Sequence, residues 1–149
     1  MMVEGQYIEG PRDPDLRALY AYWDGVRRGR LMPRRTDVDP TQIPKLLPYI
    51  FMYNAAPDGG FTIRLAGEEL MRFLPRSPVG QAAGWTMTPS GAEMIVQILA
   101  AVVRDRAPKF RMGKAYWQHN REHRDFEACY LPLSSDGETV DVIFGAIKV

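Results

Sequence analysis

Apolar residues recur at helical spacing in two separate parts of the chain. From Leu16 onward they follow one another at intervals of three or four, which predicts an amphipathic helix ending near Gly29. A second helix is predicted over residues 91 to 106, with Ser90 as its N-cap and Pro108 after its end. Both patterns describe helices with one apolar face, so each is expected to pack on another layer.

Strand-like alternation fills most of the remaining chain. Residues 49 to 56 and the segment from Phe61 are joined by Asp58-Gly59-Gly60, which predicts a hairpin. Phe61, Ile63 and Leu65 are expected on one face, and Gly67 then turns the chain into a short helix over residues 68 to 74. Three further strands are predicted at residues 109–118, 124–133 and 139–149.

This order of elements predicts an α+β fold. We expect a five-stranded antiparallel sheet with short helices over one face and an amphipathic helix at its N-terminal side. Residues 1 to 15 are polar and contain glycine and proline, so we expect a flexible leader, followed by a single domain over residues 16 to 149.

Composition narrows the class of protein. The chain has 149 residues, 46% of them hydrophobic, and a formal net charge of +1, which does not indicate nucleic-acid binding. The longest nearly apolar run, residues 94 to 103, is about half a membrane span, and no signal peptide is visible. The single cysteine excludes an internal disulfide framework and suits a reducing compartment. We therefore expect a cytoplasmic protein.

The element order is similar to that of the PAS sensor fold, and local residues resemble one branch, the PAS_5 family of alphaproteobacteria. The matching residues are Tyr22-Trp23, Arg30-Leu31-Met32-Pro33-Arg34, Asp37-Val38-Asp39-Pro40, Leu46-Leu47-Pro48-Tyr49-Ile50-Phe51, Arg64-Leu65-Ala66-Gly67-Glu68-Glu69-Leu70, Leu131-Pro132-Leu133 and Gly145. The resemblance implies a bacterial signalling or interaction domain with a small-molecule cavity and no catalytic residues. The segment Leu74 to Gly80 departs from the family pattern beside the expected cavity, so the identity of a ligand does not transfer.

Aromatic and aliphatic side chains either fill one continuous core or partly line such a cavity. Ligand sites are mostly apolar with few polar anchors, so the composition agrees with both arrangements. The candidate pocket residues are Tyr53, Leu65, Leu70, Phe73, Trp85, Ile98, Val102 and Trp117.

The first helix is a candidate dimer contact. Its apolar stripe of Leu16, Leu19, Tyr20 and Trp23 is wide for a small sheet to cover, and PAS relatives commonly pair through this element. The alternative is that the stripe packs on the chain's own sheet. We expect a homodimer, or a separate protein partner, because one sensory domain needs a surface through which to act.

Five arginines lie within nine residues without an acid among them: Arg27, Arg28, Arg30, Arg34 and Arg35. One interpretation is positive charge at a helix C-terminus followed by a solvated loop. The other is a patch for a phosphate group or an acidic partner, since guanidinium groups bind such anions in a bidentate manner.

Other chemical candidates are weaker. The letters of His119 to His123 fit an inverted zinc-protease motif, but these residues lie between two strand patterns and predict a turn. Their position also disfavours haem held by histidine, and no cysteine lies where a flavin adduct would need it. Cys129 is expected to be buried. The cofactor is therefore unknown. The alternative function is a small α+β cavity enzyme of isomerase or hydratase type, acting through Glu127 or Asp141.

Overall fold

The structure is a computed structural model that describes residues 2–72, 76–116 and 123–149. Its centre is a six-stranded antiparallel sheet with the strand order β1-β4-β5-β6-β2-β3. The strands are β1 (Met2–Ile8), β2 (Ile50–Ala55), β3 (Phe61–Ala66), β4 (Lys109–Tyr116), β5 (His123–Leu133) and β6 (Val142–Lys148). The helices are α1 (Pro14–Val26), α2 (Glu68–Met71) and α3 (Pro89–Asp105), with 3-10 turns at Arg35–Asp37, Pro40–Gln42 and Pro44–Tyr49.

The α+β, PAS-like architecture predicted from the sequence is confirmed, with one strand more than expected. Residues 2 to 8, expected to be part of a flexible leader, form β1 and pair with β4 along its full length. Their mixed polar composition hid this strand, because an edge strand is held by backbone hydrogen bonds to a distant partner. The helix α1 then begins at Pro14, with the Asp13 carboxylate accepting from the amides of Asp15 and Leu16.

The two long helices lie on opposite faces of the sheet. The Phe110 ring on β4 packs 5.1 Å from the Tyr20 ring of α1, measured between centroids. The guanidinium of the next residue, Arg111, contacts Met94 of α3. Because successive side chains of a strand point to opposite faces, these two contacts define an α1 face and an α3 face.

The α1 face forms the larger part of the core and anchors α1 firmly. Trp23 is buried, and its indole Nε1 donates a 2.9 Å hydrogen bond to the carbonyl oxygen of Pro132 on β5. The Glu127 carboxylate accepts from the backbone amides of Arg12 and Asp13, both at 2.9 Å, just before the helix starts. These contacts fix both ends of α1 against the centre of the sheet.

The outer edge of β3 is covered by the chain that leads toward α3. The amide of Ile63 donates to the carbonyl of Gln81 at 2.8 Å, and the amide of Ala83 donates to the carbonyl of Phe61 at 3.0 Å. This pairing satisfies backbone groups that an open edge would leave to another strand. It also brings residues 80 to 83 beside the sheet, immediately before the loop that enters α3.

Gly67 makes the corner between β3 and α2 by close approach. A Cβ atom at this position would collide with the backbone carbonyls of Leu47 and Pro48, and the Gly67 amide donates to Ile50 at 2.7 Å. The one-turn helix α2 therefore lies against the 3-10 turn at Pro44–Tyr49. The predicted continuation of this helix to residue 74 falls partly outside the described residues.

Candidate ligand site on the α3 face

The helical wall of the site is α3, whose apolar positions face the sheet. Ile95, Ile98 and Val102 are buried along one side of the helix, as the spacing predicts. The N-cap is Thr88, whose hydroxyl accepts from the Gly91 amide at 3.2 Å, rather than the predicted Ser90. Thr88 precedes Pro89, a residue that suits the first helical turn.

Aromatic rings cross the sheet beneath α3. Tyr130 on β5 and Phe51 on β2 both pair with Gly145 on the strand between them. Because Gly145 has no side chain, the two rings meet over it with centroids 5.4 Å apart, and Phe51 lies at the same distance from Tyr53. A Cβ atom at Gly145 would come within 2.7 Å of the Phe51 ring. The glycine in β6 therefore makes this row of rings possible.

Two tyrosine hydroxyls lie in this apolar row. Burial raises the pKa of Tyr53 to about 12, and burial likewise raises the pKa of Tyr130 above its usual value. The neighbouring Arg111 charge acts in the opposite direction on the Tyr130 pKa, but burial has the larger effect. Both hydroxyls therefore stay protonated at neutral pH and are able to donate a hydrogen bond.

Arg111 on β4 extends this row at its other end. Only 5% of its surface is exposed, and its Nε atom has no hydrogen-bond partner among the described residues. Its Nη2 atom lies 3.8 Å from the Met94 sulfur, and its guanidinium carbon lies 5.4 Å from the Tyr7 ring centroid. Gly5 of β1 leaves the space that Nη2 occupies, since a Cβ there would lie 3.2 Å from it.

A second buried polar group without a partner lies in the loop before α3. The Trp85 indole Nε1 has no hydrogen-bond partner within the described chain, although the Arg76 guanidinium stacks 5.2 Å from the ring centroid. The preceding Gly84 has a φ of +79° and packs so closely on Ala92 that a side chain would not fit. This turn fixes Trp85 beside α3.

An open groove of about 300 Å³ adjoins the site near the C-terminal end of α3. Arg104 and Lys109 line it on one side, and Tyr7 lines it on the other. Since the Tyr7 ring also contacts Arg111, the groove is separated from that guanidinium by one side chain, 52% of which is exposed. The groove therefore lies on the solvent side of the Tyr7 ring that covers Arg111.

The structure separates the eight predicted pocket residues. Tyr53 lies on the α3 face and Ile98 and Val102 belong to α3, while Trp85 lies in the adjoining loop. Leu65 was assigned to the wrong face, because an irregular register between Met52 and Tyr53 pairs it with Met52 on the α1 face. Leu70 lies in α2, against Pro44–Tyr49. Phe73 and Trp117 are outside the described residues.

Sequence reasoning missed the polar end of the site. The sequence predicts Arg111 only as part of a strand, and the predicted pocket residues do not include Phe51 or Tyr130. The sequence shows the alternation within β4, but it does not show which face of the sheet α3 covers. Gly145 was the available signal, because a glycine inside a strand leaves room for aromatic side chains of the neighbouring strands to meet over it.

The apolar stripe of α1 is not available as a dimer surface. Leu16, Leu19 and Trp23 are buried in the chain's own core, and Tyr20 packs on Phe110. This corrects the prediction that the sheet leaves part of the stripe uncovered. The reason is that segment 30–49 and the α1 face of the sheet together enclose the helix, with Met32 and Leu46 buried beside it.

Most of the arginine cluster has partners within the chain. Arg27 pairs with Asp24 at 2.6 Å, and Arg30 pairs with Asp37 at 2.7 Å while donating to the carbonyl of Val26. The Arg35 guanidinium donates to the carbonyl of Val38 at 3.0 Å. These contacts favour the interpretation as charge at a helix C-terminus, with Arg28, Arg30 and Arg34 as the exposed members of the cluster.

The remaining chemical candidates have structural roles or lie outside the description. Cys129 is fully buried on the α1 face, as predicted, and burial raises its pKa far above the usual range. Glu127 binds the two amides before α1, and Asp141 accepts from the Ser135 amide at 3.1 Å. Residues 117–122, which include most of the protease-like motif, are not described. Within the described ranges, no group of three or more histidine, cysteine, aspartate or glutamate side chains could hold a metal.

Comparison with known proteins agrees with the fold. A family model of the PAS domain, PAS_5, matches residues 12–148. A solved structure of an RNA-binding Light-Oxygen-Voltage receptor is similar over 99% of this chain with a TM-score of 0.56, at 14% sequence identity. The chain spans 39% of that receptor's length. No curated protein matches the chain. Within the described residues, the helices are too short or too polar to span a bilayer.

Proposed function

Because the chain belongs to the PAS_5 family of PAS domains, we propose that it is a cytoplasmic sensor or adaptor that binds a small molecule on its α3 face and signals through a protein partner. Its membership of this family supports a sensory role. The binding site and the partner are the parts that we add.

The observation that carries the proposal is that two of the three buried side-chain atoms without hydrogen-bond partners among the described residues, Arg111 Nε and Trp85 Nε1, lie beside α3, the third being Arg35 Nε. Buried donors are nearly always hydrogen-bonded, because an unmade bond in an apolar interior costs about 1–3 kcal/mol. Here Arg111 lies diagonally beside the Tyr130 ring, and Trp85 lies in the loop that enters α3. Apolar lining with a few converging polar groups is the usual composition of a small-molecule site.

The two carboxylates considered for an enzymatic role, Glu127 and Asp141, already bind backbone amides, and this favours a binding function over catalysis. A small cavity enzyme would need a free acid or base in its interior. Glu127 holds backbone amides on the opposite face of the sheet, and Asp141 holds the amide of Ser135. We infer that the protein acts by binding.

Native mass spectrometry of the purified chain tests the proposal. We expect a bound small molecule, or a rise in Tm with members of a metabolite library, and both should be lost in Ile98→Trp, which enlarges a buried side chain on the sheet-facing side of α3. The matched control is Val96→Trp, on the outward side of the same helix, where 39% of the side chain is exposed. Equal loss in both variants, or no ligand under any condition, would contradict the proposal.

We also propose that the partner surface includes the outward side of α1. Leu16 and Leu19 are buried, so a contact through this helix would use exposed positions such as Ala18 and Ala21. Light scattering coupled to size exclusion, on wild type and Ala21→Glu, measures this. A homodimer that dissociates in the variant without a change in Tm supports it, whereas a dimer unaffected by the substitution places the contact elsewhere.

A further inference from the structure

Arg111 is a charged group in a place that does not stabilise its charge. Only 5% of the Arg111 residue is exposed. The described contacts of its guanidinium are the Met94 sulfur and the face of the Tyr7 ring. Neither contact replaces the hydration of a full positive charge. An isolated ion in an apolar environment is so unfavourable that buried charges are normally paired.

The carboxylates of the surrounding elements are committed elsewhere. Glu127 on β5 faces the α1 side and holds two amides, and Asp105 at the end of α3 pairs with Arg104 and Lys109. Glu93 on α3 is exposed to solvent, and Glu4 on β1 lies opposite Lys114. Within the described chain no carboxylate forms an ion pair with Arg111.

An anion from outside the described residues would supply the missing countercharge. We propose that Arg111 binds the carboxylate of an organic monocarboxylic acid, whose apolar body lies along the rings of Tyr130 and Phe51 beneath α3. This identifies the ligand class of the site described above and so rests on the proposed function.

The geometry favours an elongated ligand with its charge at one end. Arg111 on β4 and Phe51 on β2 are separated by three interstrand steps, about 14 Å across the sheet. The residue of β4 in register with Tyr130, Gly145 and Phe51 is Lys109, whose amine is paired with Asp105 at 2.7 Å. Tyr130 is two residues from the position that pairs with Arg111, so its ring lies diagonally beside the guanidinium on the same face. The ring row continues from there to Phe51 without a second charge.

The count of charges selects a carboxylate over a phosphate. A single guanidinium compensates one negative charge, and its planar fork fits a carboxylate through two parallel hydrogen bonds. A phosphate monoester carries up to two negative charges at neutral pH, so one charge would stay uncompensated in an apolar interior. Entry of the acid from the groove would require the half-exposed Tyr7 ring to move away from Arg111.

Isothermal titration with a matched set of probes tests the proposal. The probes are decanoate, decanamide and decyl phosphate, added to the full chain as wild type, Arg111→Met and Arg111→Lys. We expect wild type to bind decanoate about 10- to 100-fold more tightly than decanamide, the usual effect of a hydrogen bond to a charged group. Arg111→Met should bind both equally, and Arg111→Lys should be intermediate because it keeps the charge without the fork.

Arg17→Met is the control variant, since Arg17 is exposed on α1, on the opposite face of the sheet, and it should bind decanoate as wild type does. Stability provides a second readout. Replacing a buried, uncompensated charge with an apolar side chain of similar length is often stabilising, so the ligand-free Tm of Arg111→Met should equal or exceed that of wild type.

Each other outcome overturns the assignment. Unchanged decanoate affinity in Arg111→Met removes Arg111 from the site, while leaving the α3 face as a binding site. Preference for decyl phosphate refutes the argument from charge, and a lowered Tm with loss of both decanoate and decanamide binding shows a structural role. If wild type binds no probe, this ligand class is wrong, and the native mass spectrum of the purified chain decides separately whether the proposed function survives.

Discussion

Leu19→Ala is the substitution that most sharply separates a core role from a dimer role for α1. The Leu19 side chain is 0% exposed and lies between α1 and the sheet, so its removal leaves a cavity that the surrounding core fills only partly. Leucine-to-alanine changes at such positions cost about 2–5 kcal/mol of unfolding free energy. For a domain of this size that lowers Tm by roughly 4–20 °C. Most domains have about 5–15 kcal/mol in total, so the variant should still fold.

Urea unfolding followed by far-ultraviolet circular dichroism measures the effect, with light scattering on the same samples to give the mass. The denaturant slope should stay unchanged, so that the shift in midpoint reports stability alone. Leu31→Ala is the control, because 47% of Leu31 is exposed and its truncation should cost under about 0.5 kcal/mol. A Leu19→Ala protein of wild-type stability whose mass is halved would refute the burial argument and restore the dimer stripe.

Three further predictions concern contacts that hold the fold together. Glu127→Gln should lower the unfolding free energy by about 1 kcal/mol and speed hydrogen exchange at the start of α1, because a charged acceptor for two amides is lost; unchanged exchange there would contradict it. Hydrogen bonds lower the pKa of Asp136 to about 2, so its ionised form stabilises the fold above pH 3.8, and this contribution disappears as the pH falls toward 2. The difference in Tm between wild type and Asp136→Asn should therefore shrink over that pH range. A constant difference would refute this prediction. Gly67→Ala should lower the unfolding free energy by about 1–3 kcal/mol, measured by thermal or urea unfolding. Gly25→Ala, where a side chain on α1 would enter open space, is the control and should be neutral or stabilising. Similar effects of both substitutions would count against the close-packed corner at Gly67.

The parts of the fold that the sequence predicted are those fixed by local periodicity. The stripe of α1, the stripe of α3 and the alternation of β2 to β6 each follow from residues within one turn or one strand of each other. The strand β1 was missed because its formation depends on backbone pairing with β4, more than 100 residues away in sequence, and its own residues show no alternation. Local pattern carries no information about such a partner.

The candidate site was predicted in outline, and its polar end was not. Tyr53 lies on the α3 face and Ile98 on the buried side of α3, and their role as pocket residues stays a prediction. Leu65 was misplaced by one irregular register, which moves a side chain to the opposite face without changing the sequence pattern. The burial of Arg111 depends on Tyr7 of β1 and Met94 of α3, two elements that only the tertiary structure brings into contact with β4.

The pairing of β1 with β4 also constrains when this domain can fold. During synthesis, residues 2–8 and the apolar stripe of α1 leave the ribosome long before residues 109–148, which supply their partners in the sheet. Closing loops of this length is slow, and contacts between distant segments lower folding rates relative to local ones. The exposed Leu19 and Trp23 are meanwhile an aggregation hazard, which chaperones commonly cover in nascent chains. We therefore expect the domain to fold late, as one cooperative unit, after its last strand has been made.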